Sequence, residues 1–254
     1  SAGNIYSILG NGTFETTLDP NGFPSRQDFG NSFLKVTASN GTLAATDYFA
    51  PFNTLAENAI DGDLGSGGPL LVPDQTDATG ATVHLMVGAG KDEHIYVVNR
   101  DNMGKFNPAN NSQILQDISG ALGGPEFGSP VYFNGTVYYG AVGDALKAFP
   151  VTQARLATAP SSQTAKAFPY PGTTPSISAT GTSNGIVWAP ENGGTAVLRA
   201  YDATDLSKEL YNSNQAANGR DHFGAGNKFI TPMIANGKVY VGTTTGVGVF
   251  GMLK

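Results

Sequence analysis

Apolar and polar residues along this chain fall into short alternating runs, each closed by a turn and then repeated. In residues 129–140, Val131 and Phe133 alternate in phase, and Asn134-Gly135 supplies the positive φ angles of a tight type I′ turn. Residues 136–139 return as a second β-branched and aromatic strand, and a glycine-containing turn leads to a third at 145–149. The same phrase recurs at 231–242, with Asn236-Gly237 as its turn and Gly248-Val249-Phe250 as its third strand. A looser copy runs from Thr174-Pro175 through Asn184-Gly185 to 198–202, and another from Gly68-Pro69 to 95–98.

Copies that open at Pro69, Pro130, Pro175 and Pro232 sit near the spacing of about 40 to 50 residues seen in propeller blades. Residues 74–82 are a polar, turn-forming insertion in the first of them. Short sheets of this kind cannot bury both faces alone and must stack on one another. The expected fold is all-β, a single β-propeller domain over 1–254 with about four and a half to five four-stranded antiparallel blades. Blades are expected near 1–52, 66–120, 128–170, 174–215 and 228–254. A β-sandwich is the alternative, but it gives no reason for a Ser/Thr-Pro start to recur before each hairpin. Residues 1–6 match the second strand of a blade, with 33–36 and 43–49 following as its third and fourth. The expectation is the C-terminal part of a longer propeller, completed by preceding blades or another chain, with a complete five-bladed ring as its rival. Helical signal is poor: 53–61 and 152–158 could each make a turn or two, and 154–167 reads mostly as loop.

Composition narrows the function classes. Hydrophobic residues at 40% suffice for a core, and 34 glycines with 15 prolines fit a chain of many turns. A net charge of −6 argues against nucleic acid and anionic membrane as partners, and no apolar run approaches membrane-span length. There is no cysteine, so disulfides and thiolate metal sites are excluded. Low charge (13%) with many Asn, Thr and Gly leans towards a periplasmic or extracellular protein.

Three stretches could carry chemistry. Gly10-Asn11-Gly12 follows the first strand and by itself is a hairpin turn. Asp61-Gly62-Asp63 precedes a glycine-rich entry to the next blade; two acids there can hold Ca²⁺ or act as a base, and turn capping explains them equally well. Ala89-Gly90-Lys91 opens a hairpin whose second strand ends at Asn99-Arg100, and a lone turn lysine is commonly just solvated.

In order and rough spacing these stretches resemble the quinoprotein alcohol dehydrogenase family, whose propeller holds pyrroloquinoline quinone (PQQ) and Ca²⁺. The resemblance implies Asn11 as a calcium ligand and Asp61 as the base taking the substrate hydroxyl proton and touching the metal. Asp63 is its close rival in that role, and Lys91 would contact the quinone. A carboxylate would abstract the proton while hydride leaves to the quinone, and calcium would polarise a quinone carbonyl. The family's adjacent-cysteine pair has no counterpart here. Pro125-Glu126-Phe127 stands where the family often has Asn-Trp, and Trp188 falls mid-strand in a later blade. The competing reading is a non-catalytic extracellular propeller that binds a glycan or protein and uses Asp61 and Asp63 only as caps. His84, His94 and His222 lack metal-ligand spacing, and Arg220-Asp221-His222 reads as a loop ion pair.

Overall fold

The computed structural model describes residues 3–252; Ser1 and Ala2, at the edge of the first expected blade, and Leu253 and Lys254, at the edge of the last, lie outside the described residues. The chain divides into two compact units: residues 1–121 with 152–156, and residues 122–151 with 157–254.

The first unit is built on two antiparallel sheets. β1 (Asn4–Ile8), β2 (Phe33–Ser39) and β3 (Thr42–Ala50) pair in sequence order, and Asn40-Gly41 turns between the last two with φ of 51° and 76°. A short helix α1 (Thr54–Ala59) occupies part of the stretch where a helical turn is expected. The second sheet takes β4 (Leu70–Leu71), then, after the small hairpin β5 (Gln75–Thr76) and β6 (Thr82–Val83), β7 (Leu85–Ala89) and β8 (Ile95–Asn99). β9 (Lys105–Phe106) leaves this sheet to pair parallel with β3, giving the first sheet a fourth strand that the repeat pattern does not announce. β10 (Gln116–Ile118) returns as the outer strand of the second sheet. β7 and the first four residues of β8 are buried throughout, which matches their unbroken apolar runs. Between the two sheets Phe33, Phe49 and Tyr96 pack with ring centroids 5.4 to 6.0 Å apart, beside Leu64, Met86 and Val98.

The second unit repeats the plan. β11 (Val131–Phe133), β12 (Thr136–Tyr139) and β13 (Ala145–Thr152) form the expected meander, with Asn134 and Gly135 at φ of 43° and 81°. The 152–158 stretch is not helical, and 154–167 is not mostly loop. β14 (Arg155–Leu156) is a short strand counted with the first unit, where Leu156 exchanges two hydrogen bonds with the Gln116 side chain. β15 (Ser162–Ala167) pairs with β13 as a further strand of that sheet. Its polar composition hides it, since of its six residues it buries just Thr164, which donates to the Lys166 carbonyl. β16 (Ser176–Thr180), β17 (Ser183–Glu191), β18 (Val197–Asp202) and β19 (Asp205–Asn212) make a four-stranded meander. Its first turn falls at Gly181-Thr182, three residues before Gly185, so Asn184-Gly185 is not the turn expected from the repeat. Gly185 lies inside β17 because a side chain there would run into the Phe133 ring and the Ala203 methyl. β20 (Met233–Ala235), β21 (Lys238–Gly242) and β22 (Val247–Gly251) end the described chain as a three-stranded sheet, turning at Asn236-Gly237. No helix among the described residues is long and apolar enough to cross a membrane.

Candidate functional site

The three glycine-rich stretches meet in the first unit because their glycines allow backbones to touch. A Cβ on Gly65 would fall onto the backbone of Leu9 and Gly10, and one on Gly90 would fall onto Leu64 and the Asp63 carbonyl. Lys91 N donates to Asp63 O at 2.9 Å, tying the β7–β8 hairpin to the entry of β4. The glycines that make these stretches look like turn punctuation therefore also serve close packing of three loops.

On this frame the four expected side chains stand together. Asn11 N donates to Asp63 Oδ1 at 2.6 Å, and Asn11 Nδ2 donates to Asp61 Oδ1 at 2.8 Å. Lys91 Nζ lies 2.7 Å from both Asp61 Oδ2 and Asp63 Oδ2. Asp61 is the outward member, its side chain 77% exposed against 24% for Asp63 and 22% for Lys91. It holds a φ of +62°, a left-handed conformation that Asp tolerates better than most residues. Partial burial opposes ionisation of Asp63, but the bonds from Lys91 and the Asn11 amide outweigh it and hold its carboxyl below the ordinary value. The same bonds, first to Asp61 and then to Asp63, hold the Lys91 ammonium above its own.

One organising residue escapes the sequence reading. Asn31, fully buried with a φ of 54°, donates from its backbone N–H to Gly10 O at 2.8 Å and from Nδ2 to Gly62 O at 3.3 Å. Its Oδ1 accepts from Leu64 N at 2.6 Å. The available signal is a Gly-Asn-Ser turn directly before β2, which looks like any other loop.

Other candidates fall elsewhere. His84 pairs with Asp101 and His94 with Asp117, and Arg220 pairs with Asp221 as the expected loop ion pair. Trp188 is half-buried in β17, with its indole N–H donating to Ser178 Oγ at 2.9 Å.

Calcium asks for about six to eight oxygen ligands. The cluster offers Asn11, Asp61 and Asp63, and all four of its carboxylate oxygens already accept N–H bonds. The Lys91 ammonium sits where a dication would have to bridge the two acids. Among the described residues no three acidic or histidine side chains are grouped to hold a metal ion. In this arrangement the residues do not fit calcium. Nor do they fit the polyanionic quinone, which the two carboxylates flanking Lys91 would repel.

A comparison with solved structures places the architecture. A quinohemoprotein alcohol dehydrogenase from Comamonas testosteroni matches 94% of this chain with a TM-score of 0.56 at 16% identity. The fold is that of a β-propeller. This chain covers 42% of that dehydrogenase, so it spans less than half of the length of the protein it resembles. BamB from Moraxella catarrhalis (TM-score 0.46, 11% identity, 85% of this chain and 58% of that one) is also similar. So is the Cps50 (Swd1) β-propeller domain of Myceliophteria thermophila (0.46, 9%, 84% and 56%). No family model and no curated protein sequence matches the chain.

Proposed function

We propose that this propeller binds a hydroxyl-bearing ligand, an alcohol, sugar or glycan, at the Asn11–Asp61–Asp63–Lys91 cluster, without oxidising it. The carrying observation is the lysine shared at 2.7 Å by two carboxylates, one of them largely exposed. A general base needs a pKa near the working pH. Here Asp63 is held well ionised, Lys91 is held protonated, and every carboxylate oxygen already has a donor. Such a group is a fixed hydrogen-bonding platform. A hydroxyl can donate to the outer lone pairs of Asp61 and accept the third N–H of Lys91, and because it is uncharged it leaves both ion pairs standing. Ile60, next to Asp61 and 79% exposed, offers an apolar surface of the kind a sugar's C–H face covers. A periplasmic or extracellular setting belongs to the same proposal.

The order of Asn11, Asp61 and Lys91 favours a second reading, oxidation with PQQ and calcium, which requires the cluster to open. Calorimetric titration with a panel of short alcohols, monosaccharides and oligosaccharides tests the first. Asp61→Asn is expected to weaken binding by about tenfold or more, the scale of a lost hydrogen bond to a charged group. Dye reduction that depends on added PQQ, on calcium and on Asp61 would overturn it in favour of the second.

A further inference from the structure

Helix α1 is inverted for a surface helix: it buries Thr54 and Glu57 and exposes Leu55. Beneath it, in the first unit, lies a group of titratable side chains separate from the Lys91 cluster. His94 Nδ1 is 2.6 Å from Asp117 Oδ1, and its ring stacks on Tyr96 with centroids 5.9 Å apart. The Tyr96 hydroxyl donates to Asp92 Oδ2 at 2.6 Å. Asn111 Nδ2 donates to Asp117 Oδ2 at 2.7 Å, while its Oδ1 accepts from Phe52 N at 2.9 Å.

Glu57 completes the group from α1. Asn53 Nδ2 donates to Glu57 Oε1 at 2.6 Å, which leaves Glu57 Oε2 and Asn53 Oδ1 buried and without a partner. Both orphans are acceptors as long as Glu57 is ionised, and burying unpaired acceptors is costly. One proton on Glu57 supplies the missing donor and allows an acid–amide pair with two hydrogen bonds. The charged groups facing it give the same answer. Asp92 and His94 come from the β7–β8 hairpin and Asp117 from β10, so an ionised Glu57 would be the third carboxylate around one imidazole.

The pair is wired to the turn that carries Asp61. Ile60 N and Gly62 N both donate to the Glu57 carbonyl, at 3.1 and 2.8 Å. Asn58 Oδ1 accepts from Gly12 N at 3.1 Å. A Cβ on Gly62 would lie 3.1 Å from Glu57 Cβ, so the 60–63 turn rests directly on Glu57.

We propose that the Asn53–Glu57 pair is a pH-sensitive latch: with a proton on Glu57 it seats α1 and the 60–63 turn, and loss of that proton loosens both. Burial, and then Asp92, push the Glu57 carboxyl up to about 7 against the pull of Asn53 and His94. The group binds its proton more tightly folded than unfolded. Its stabilising contribution is therefore complete at acidic pH and is lost as pH rises through about 7. The latch is independent of what the Lys91 cluster binds, and its test uses no ligand.

Amide exchange of Ile60 and Gly62, corrected for intrinsic rates, would be followed at pH 5.5 and 8.5 in the wild type and in Glu57→Gln. Protection in the wild type is expected to fall at least about tenfold, one unit of the equilibrium constant, while Glu57→Gln keeps it because its amide N–H is a permanent donor to Asn53 Oδ1. Equal pH dependence in both proteins, or none in the wild type, would overturn the proposal. Should the variant not fold, the ¹³C shift of the Glu57 carboxyl carbon in the wild type decides. A midpoint near 7 supports the latch, and a midpoint in the ordinary carboxylate range refutes it.

Discussion

Lys91 and Asn31 do different work at the 61–64 loop. Lys91 neutralises two acids at once, so Lys91→Met leaves Asp61 and Asp63 facing each other with their Oδ2 atoms unpaired. Because Asp61 is open to solvent, screening keeps the loss to roughly 1 kcal/mol, read as a shift in the urea midpoint at unchanged slope. The variant should also lose the hydroxyl ligand, since the remaining charge pattern repels rather than holds. Asn31 is buried, and Asn31→Ala strands the N–H of Leu64, itself fully buried. That variant is expected to be the less stable of the two, by about 1–3 kcal/mol relative to wild type. The asymmetry explains what a sequence reading can and cannot see. Asp61, Asp63 and Lys91 are legible because charged residues beside glycines stand out against a chain with so few charges, and Asn11 is legible only through the order of the stretches in the family resemblance. Asn31 is one of many turn asparagines, and nothing in its neighbours marks it as buried. Glu57 is hidden for the opposite reason: on a short segment with Leu55 and Ile60 it reads as the polar face of a helix, and the structure turns that face inward.

At the level of elements, the Asn-Gly hairpins at 40–41, 134–135 and 236–237 are legible because one dipeptide fixes both the turn and its register. β15 is not, since its SQTAKA sequence carries no apolar alternation and gains its place by pairing with β13. Asn184-Gly185 misleads for a related reason: the glycine is there to admit a neighbouring ring, and the turn forms earlier. Loop packing in the first unit yields a sharper test than any hairpin. Gly65→Ala drives a methyl into the Leu9–Gly10 backbone, which cannot rotate away as a side chain could. The expected cost is about 1–3 kcal/mol, with amide shifts concentrated at Leu9, Gly10 and Asn11. A variant as stable as wild type, with those amides unmoved, would contradict the packing described.

Across the whole chain, repeat spacing and strand alternation carried the β-propeller fold, while the outer strands β9 and β15 depended on pairings that local pattern does not encode. The distribution of buried acids predicts an unusual pH profile. Burial pushes Glu126 up to about 8 against the bonds it accepts from backbone N–H groups, and Glu57 stands near 7. Both bind protons more tightly folded than unfolded, so stability is expected to fall as pH rises from about 5 to 8. Asp63, Asp117 and Asp221 are held low and act in the opposite sense, withdrawing stability only as pH falls below the usual carboxylate range. The melting temperature should therefore peak on the acidic side of neutral, and Glu57→Gln with Glu126→Gln should flatten the fall towards pH 8. Hydroxyl binding at the Lys91 cluster is tested by an amide ¹H–¹⁵N titration of the full chain with a sugar or alcohol series. Saturable shifts are expected at Asn11, Gly62, Asp63 and Lys91, and they should vanish in Asp61→Asn. Shifts confined to other loops, or movement of these four only when PQQ and calcium are added, would contradict it.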